Sequence, residues 1–169
     1  MAEGFEGGPI KRIGFLLVPD FSMLPFSAAV EPLRVANRLT RCPLYEWQLY
    51  SVDGQPVTAS NTIPVAVDQG LDPFPRPELA LVCAGLGCQR FEAPLALKWL
   101  RTLAREGLGV GGISSGSHIL GRAGLLAGYR CTIHWEDRVS FRETFPGMLD
   151  TDGVFEIDRN RYTCSGGTA

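Results

Sequence analysis

The residue types best suited to chemistry lie in one stretch, Gly112-Ile113-Ser114-Ser115-Gly116, which fits the pattern G-x-S-x-G. This pattern is typical of a nucleophile elbow, in which a strand turns sharply into a helix and a serine occupies the turn. Small neighbours are needed because a bulky one would clash, and the free amides of the helix would suit an anion or oxyanion. Three interpretations stay open: Ser114 attacks a substrate, it contacts a ligand without reacting, or the stretch is only a tight turn.

A serine nucleophile also needs a base and an orienting acid. The chain has two histidines, His118 and His134. His118 follows Ser114 by about one helical turn, so we expect it to point away from the elbow and to pack or lie on the helix surface. His134 ends a predicted strand that could return it to the elbow. No pattern selects a third member, although several acids follow Ser114, among them Glu136, Asp137, Glu143, Asp150 and Asp152.

Composition excludes several classes of function. The 169 residues suffice for one domain, and 45% apolar with 20% charged residues is the ordinary globular balance. A net charge of −2 gives no broad basic surface, so this chain alone is a poor candidate for nucleic-acid binding. No apolar run is long enough for a membrane span, and no signal peptide is present, which favours the cytoplasm. The odd count of five cysteines favours free thiols, with no metal site and no cofactor expected.

Apolar periodicity predicts strands alternating with helices. Strands are expected at 11–18, 45–52, 79–83, 108–113 and 129–134, with a hairpin at 57–67 and a late strand pair at 154–157 and 162–164. Helices are expected at 26–39, 93–104, 115–126 and 136–145; because of Pro32, the first should begin near Val30 or kink. Pro73, Pro75 and Pro77 should form a stiff connector. The pattern predicts a three-layer α/β/α sandwich, flavodoxin-like, with a mostly parallel sheet.

In such folds, ligands bind at the carboxyl ends of the strands. Three loops qualify by position, namely 19–25, 84–87 and 114–116. We therefore expect these loops to converge at one edge of the sheet.

Three runs of sequence carry a family resemblance. They are Gly112 to Gly116, then AGLLAGYR at 123–130, and Thr132-Ile133-His134-Trp135. FLLVPDFSMLPFSAAVEPLRVANRL near the start and YTCSGGTA at the end extend the match over nearly the whole chain. The sequence resembles the amidotransferase-like, PfpI-like domain of AraC-type transcriptional regulators, within the class I glutamine amidotransferase-like superfamily.

The resemblance implies a degenerate catalytic site. Enzymes of the superfamily carry a cysteine at the position of Ser114, and a helix N-terminus can lower the pKa of a thiol as it cannot for a hydroxyl. The PfpI-like enzymes place a glutamate where this chain has Pro25. Only His134 stays in register, so the expectation is a ligand contact and no catalysis. The alternative is a stand-alone PfpI-like hydrolase or amidotransferase-type enzyme with Ser114 as the nucleophile.

The resemblance also implies partners. Residues 1–11 would be a flexible lead-in and 12–169 a single sensor domain, with a helix-turn-helix DNA-binding domain expected beyond 169; a natural terminus at 169 is the alternative. The domain would bind a small effector, either an amino acid or a betaine-like compound, and would form a homodimer. It would contact DNA only through the absent domain, and it would not contact a membrane. The expected ligand-binding residues are Phe21, Pro25, Gly85, Leu86, Ser114, Ser115, His134 and Trp135.

Overall fold

A computed structural model describes residues 9–71 and 76–168. Its helices are α1 (Met23–Thr40), α2 (Pro94–Arg105), α3 (Gly116–Arg122) and α4 (Arg138–Thr144). Its strands are β1 (Lys11–Leu17), β2 (Tyr45–Tyr50), β3 (Val57–Thr58), β4 (Pro64–Val65), β5 (Leu79–Ala84), β6 (Gly109–Ser114), β7 (Arg130–Cys131), β8 (Leu149–Asp150), β9 (Phe155–Asp158) and β10 (Arg161–Cys164). Short 3-10 turns lie at Cys88–Arg90 and Trp135–Asp137.

The central sheet has six strands in the order β2-β1-β5-β6-β10-β9. The first five run parallel, and only β9 pairs antiparallel, with β10. The hairpin of β3 and β4 and the late strand pair were both predicted and are confirmed. Five parallel strands bring their carboxyl ends, including those of β1, β5 and β6, to the same edge of the sheet.

Helices cover both faces of the sheet, which makes the fold a three-layer sandwich. Phe15 and Leu17 of β1 pack in one apolar cluster with Phe26 of α1. Leu16 of β1 lies in the other cluster, with Leu100 of α2 among its members. Successive side chains of a strand point to opposite faces, so β1 contributes to both cores and reads as a continuous apolar run. The predicted fold class is confirmed.

Helix α1 corrects one expectation. It begins at Met23 and not near Val30, and Pro32 lies inside it on an exposed position. An interior proline costs a helix about 3 kcal/mol. Burying one large apolar side chain contributes about 1.5–3 kcal/mol, and Phe26 is 9% exposed with Val30 and Leu33 packed beside it. Burial of this face therefore offsets the proline.

Two other elements are shorter than predicted. β7 ends at Cys131, since the amide of Thr132 donates to Thr163 Oγ1 at 2.9 Å and not to a strand neighbour. The Thr132 hydroxyl donates to the carbonyl of Gly153 at 2.7 Å, so side chains hold the segment that leads to His134. α3 ends at Arg122, not near 126.

Two predictions fall partly outside the described residues. Pro73 and Pro75 of the predicted connector lie outside them, whereas Pro77 is buried. Residues 1–8 of the predicted lead-in also lie outside, and residue 11 already belongs to β1. Among residues 9–71 and 76–168, no helix is long and apolar enough to cross a membrane.

Candidate functional site

The junction of β6 and α3 has the geometry of a nucleophile elbow. Ser114 ends β6 with φ +60°, a left-handed conformation that non-glycine residues rarely adopt. A Cβ on Gly112 would lie 2.6 Å from the carbonyl carbon of Gly116. A Cβ on Gly116 would meet the Val82 carbonyl oxygen of β5 at less than 3.0 Å. Both glycines are therefore required by the close approach of backbone, as the sequence pattern predicted.

Ser114 lies beneath the segment that follows β10. Its side chain is 3% exposed, and a Cβ on Gly166 would lie 2.9 Å from Ser114 Oγ. Gly166 has φ +91°, which a side chain would also disfavour. Within the described part of the chain, Ser114 Oγ has no hydrogen-bond partner. A backbone strained at a functional position in this way is typical of a reactive or ligand-contacting residue.

The three loops predicted to converge do so. The amide of Val18 donates to the carbonyl of Cys83 at 3.0 Å, joining the ends of β1 and β5. A Cβ on Gly85 would lie 3.3 Å from the carbonyl carbon of Asp20 and would clash with its oxygen. Ala84 pairs with Ser114 across β5 and β6, which brings the third loop to the other two. The amide of His134 donates to the Ser114 carbonyl at 3.3 Å, so the segment that ends at His134 also lies beside the elbow.

His134 is close to the elbow in backbone but does not form a base–nucleophile pair. Its Nδ1 accepts from the amide of Glu136 at 3.4 Å and lies 3.8 Å from Glu136 Oε2. Its ring is 5.8 Å from that of Trp135. No described hydrogen bond joins the imidazole to Ser114 Oγ, so a Ser–His pair is not assembled in this conformation.

A buried polar network behind the elbow was not predicted. Ser115 is fully buried and its hydroxyl donates to Asp137 Oδ2. Gln89 Nε2 donates to the other carboxylate oxygen at 2.8 Å, and Asp137 is 4% exposed. Asp137 is one of seven acids after Ser114, and nothing in its spacing distinguished it. The network anchors the residue that follows Ser114 and so holds the elbow in place.

His118 has the packing role that was predicted. It is 2% exposed, and its ring lies 5.1 Å from that of Phe145 and 6.2 Å from that of Phe141. Neither ring nitrogen has a hydrogen-bond partner among the described residues. Burial lowers the pKa of His118 because the apolar surroundings disfavour the charged imidazolium.

The expected ligand-binding residues fall into two environments. Phe21, Pro25, Gly85, Ser114 and Ser115 are buried. Phe21 packs edge-on against Phe26 at 5.5 Å, so its ring face belongs to the core. Leu86 and Trp135 are 57% and 70% exposed, and His134 is intermediate.

A crevice at the same edge of the sheet was missed at the sequence level. Its volume is about 360 Å³, and it lies at the ends of β1 and β2. Asp20, Asp53 and Phe91 are among the residues that line it. Asp20 has φ +61°, an uncommon conformation for a residue other than glycine. Asp20 lies three residues beyond the end of β1, and its left-handed conformation could not be predicted because φ is not visible in the sequence.

The described residues contain no cluster of three or more His, Cys, Asp or Glu side chains suited to a metal ion. Cys83, Cys88, Cys131 and Cys164 carry unbridged thiols. Burial raises the pKa of Cys83, raises that of Cys88 to about 12 and raises that of Cys131 to about 11. A thiolate is the reactive form, so these three thiols are inert at neutral pH.

Sheet order and the strained elbow define the class of protein, an α/β sandwich of the kind found in PfpI and DJ-1 proteins. A ThiJ/PfpI family protein from Pseudomonas syringae matches 95% of this chain and 64% of its own, with a TM-score of 0.76 at 22% identity. This identity supports the fold alone.

The family follows from nearer relatives. No family model matches the chain. The crystal structure of an AraC family transcriptional regulator from Pseudomonas putida is 32% identical, with a TM-score of 0.84, over 93% of this chain and 84% of that one. The chain belongs to the AraC family of transcriptional regulators, and the resemblance drawn from its motifs is confirmed.

Curated relatives support the same family assignment. The HTH-type transcriptional regulator CdhR of Pseudomonas aeruginosa is 48% identical over 155 residues, which are 92% of this chain and 46% of CdhR. The HTH-type regulator GbdR of the same organism is 43% identical over 94% of this chain and 43% of GbdR. The chain thus spans less than half the length of these two relatives. Isonitrile hydratase of Pseudomonas putida is 28% identical over 94% of this chain and 66% of that enzyme.

Proposed function

We propose that this chain is the ligand-sensing and dimerisation part of an AraC-family regulator. It binds a small metabolite and thereby controls DNA binding by a helix-turn-helix domain outside these 169 residues. The observation that carries the proposal is the 48% identity to a transcriptional regulator across 92% of the chain. A cytoplasmic location follows from the same function.

The effector site we propose lies at the carboxyl edge of the sheet, around the elbow. The contacts proposed from the sequence remain Phe21, Pro25, Gly85, Leu86, Ser114, Ser115, His134 and Trp135. Because Phe21 and Pro25 are buried, they support the wall of the site, whereas Trp135 offers an exposed aromatic face that suits a cationic nitrogen. The elbow hydroxyl suits a carboxylate or carbonyl oxygen.

The neighbouring crevice supports a zwitterionic effector, such as an amino acid or a betaine-like compound. Asp20 and Asp53 line it and form no ion pair with any described residue, so their carboxylates are left to meet a cation. Phe91 adds an apolar wall for methyl groups. A ligand with a cationic nitrogen in the crevice and a carboxylate toward the elbow would meet both the aspartates of the crevice and the hydroxyl of the elbow.

The ligand test is a thermal-shift screen of the purified chain against amino acids and betaines. A ligand that binds only the folded state raises the melting temperature. Asp53→Asn keeps the oxygen that accepts from the Gln55 amide but removes the charge, and we expect it to weaken binding about tenfold, or about 1.4 kcal/mol. Glu143→Gln, an exposed residue of α4, is the matched control and leaves affinity unchanged.

A panel without a stabilising ligand would contradict the sensor proposal. A stabilising ligand whose affinity is the same in Asp53→Asn would keep the sensor function but remove the crevice from the site.

We also propose that the chain is not an enzyme. The proposal rests on Ser114 in place of a cysteine, Pro25 in place of an acid, and a His134 imidazole hydrogen-bonded to its own segment. The alternative function is that of a PfpI-like enzyme. Two observations favour it: Ser114 keeps the strained backbone conformation of a nucleophile elbow, and the chain is similar to an isonitrile hydratase.

A serine-reactive phosphonate separates the two. Mass spectrometry after incubation should find no adduct on Ser114, since no described side chain accepts a proton from its Oγ. A stoichiometric adduct that disappears in Ser114→Ala would establish the enzyme.

Dimerisation is tested by light scattering coupled to gel filtration. We expect twice the 18.4 kDa chain mass. A monomer at all concentrations up to about 100 μM would remove dimerisation from the role of this chain.

A further inference from the structure

A cationic groove lies at the opposite edge of the sheet from the elbow. Its volume is about 490 Å³, and its walls are α2, the segment after α3 and the first residue of β10. Four of its eight lining residues are basic and none is acidic; the four are Lys98, Arg101, Arg105 and Arg161. The net charge of the chain is −2, so this is a local concentration of positive charge.

Arg161 is the unusual member. It is 6% exposed, yet it forms no ion pair with any described carboxylate. Its Nε donates to the Leu125 carbonyl at 2.7 Å, and its other partners are oxygens of Asn160. Buried charges in proteins are ordinarily paired, because desolvation without a counter-charge costs several kcal/mol.

The other three cations also form no ion pair with a carboxylate of the described residues. Arg101 donates to the carbonyls of Ala123 and Arg122, and Arg105 donates to Thr102 Oγ1. Lys98 shares their helix face, because 98, 101 and 105 follow helical spacing. Several other cations of the described chain are paired, as in Arg142 with Asp150 and Arg34 with Glu31. Scattered cations elsewhere also lack a carboxylate partner among the described residues, namely Arg38, Arg41, Arg90 and Arg122. The groove differs because four such cations line one concavity and one of them is buried.

Arg161 packs against an aromatic ring, and the groove has free space beside Gly124. Arg161 and Arg159 lie against the ring of Tyr129, with guanidinium carbons 4.5 and 3.6 Å from its centroid. This stacking fixes the orientation of the buried guanidinium. Gly124 lines the groove, and a Cβ there would meet nothing within 4 Å, so there is free space beside the cations.

We infer that this groove binds a compact anion carrying two or more negative charges on phosphoryl or carboxylate oxygens. Arg guanidinium groups match both kinds of oxyanion through paired hydrogen bonds. Burial lowers the pKa of Arg161, so its charge is held in the fold at a cost that a bound anion relieves. The buried Arg161 inside a concave groove favours a small ligand over a duplex, whose backbone would reach only the exposed Lys98, Arg101 and Arg105.

The site is separate from the proposed effector site. Arg161 begins β10 and pairs with Val110 of β6, which is four residues, or about 13 Å, before the elbow residue Ser114. An anion here would be a second ligand.

Isothermal titration at constant ionic strength tests the inference, with pyrophosphate and citrate as probes and a duplex oligonucleotide as a third arm. We expect saturable binding of pyrophosphate or citrate, and the tighter of the two identifies the phosphoryl or the carboxylate source. Arg105→Glu should weaken it at least tenfold. Arg38→Glu is the matched control because both arginines lie in the last turn of a helix; it should change affinity less than twofold.

Equal weakening by Arg105→Glu and Arg38→Glu would show a nonspecific charge effect and overturn the inference. The absence of saturable binding by both small anions would also overturn it, as would duplex binding without either of them. None of these outcomes bears on the metabolite screen of the proposed function.

Discussion

The glycine that opens α3 offers a sharp test of the elbow. An alanine at Gly116 would place its Cβ less than 3.0 Å from the Val82 carbonyl oxygen and 3.1 Å from its carbon. Both are backbone atoms of the central strand β5, so neither can rotate away. Forcing atoms into a packed interior costs about 1–3 kcal/mol, and more where backbone must move.

The expected magnitude follows from two opposing terms. Alanine gains about 1 kcal/mol over glycine in a helix, but the clash with β5 exceeds this gain. We expect Gly116→Ala to lose about 3 kcal/mol of the free energy of unfolding. For a domain of this size, each kcal/mol lowers the melting temperature by about 2–4 °C, so the loss is about 6–12 °C.

Urea unfolding followed by circular dichroism measures the change. The control is Gly124→Ala, a position with φ +72° and nothing within 4 Å of the new Cβ, which should cost only about 1 kcal/mol for the backbone conformation. If Gly116→Ala proves as stable as Gly124→Ala or more so, the close approach of the elbow to β5 is refuted.

Three further predictions concern buried groups. The folded-state pKa of His118 lies below its unfolded value, so its contribution to the free energy of unfolding is present above about pH 6.5 and is lost as the pH falls. The loss is at most about 1.4 kcal/mol per pH unit. His118→Leu should flatten the acid side of a curve of stability against pH, and an unchanged slope would refute this. Native protein should show no labelling of Cys83, Cys88 or Cys131 by a thiol-disulfide reagent at pH 8, whereas all should react in urea; mass spectrometry of the labelled peptides decides. Ser115→Ala removes the bond to buried Asp137 and should cost about 1.5–3 kcal/mol in urea unfolding, against less than about 0.5 for Ser22→Ala, whose side chain makes no capping hydrogen bond.

Much of the fold could be predicted because the local periodicity of apolar residues indicates most of the strands and helices. Apolar runs of strand length alternate with amphipathic segments, and a parallel sheet is the arrangement that buries both. The boundary of α1 could not be predicted, since Pro32 weakens the helix locally while the burial of Phe26 against β1 is a contact between distant segments. The length of β7 was overestimated for the same reason, because the amide of Thr132 donates to the hydroxyl of Thr163, which lies 31 residues away.

The elbow could be inferred from the sequence alone, because two glycines flanking Ser114 require a turn with no room for side chains. A hydroxyl in place of a thiol weakens any nucleophile there. The groups that meet this turn became known only in the folded chain. Folding brings Asp137 to Ser115 and Gly166 to Ser114, and it brings four cations without carboxylate partners among the described residues to a groove at the far edge of the sheet. Local sequence patterns do not encode such contacts, because hydrogen bonding and charge pairing depend on distances of a few ångströms between residues far apart in the chain.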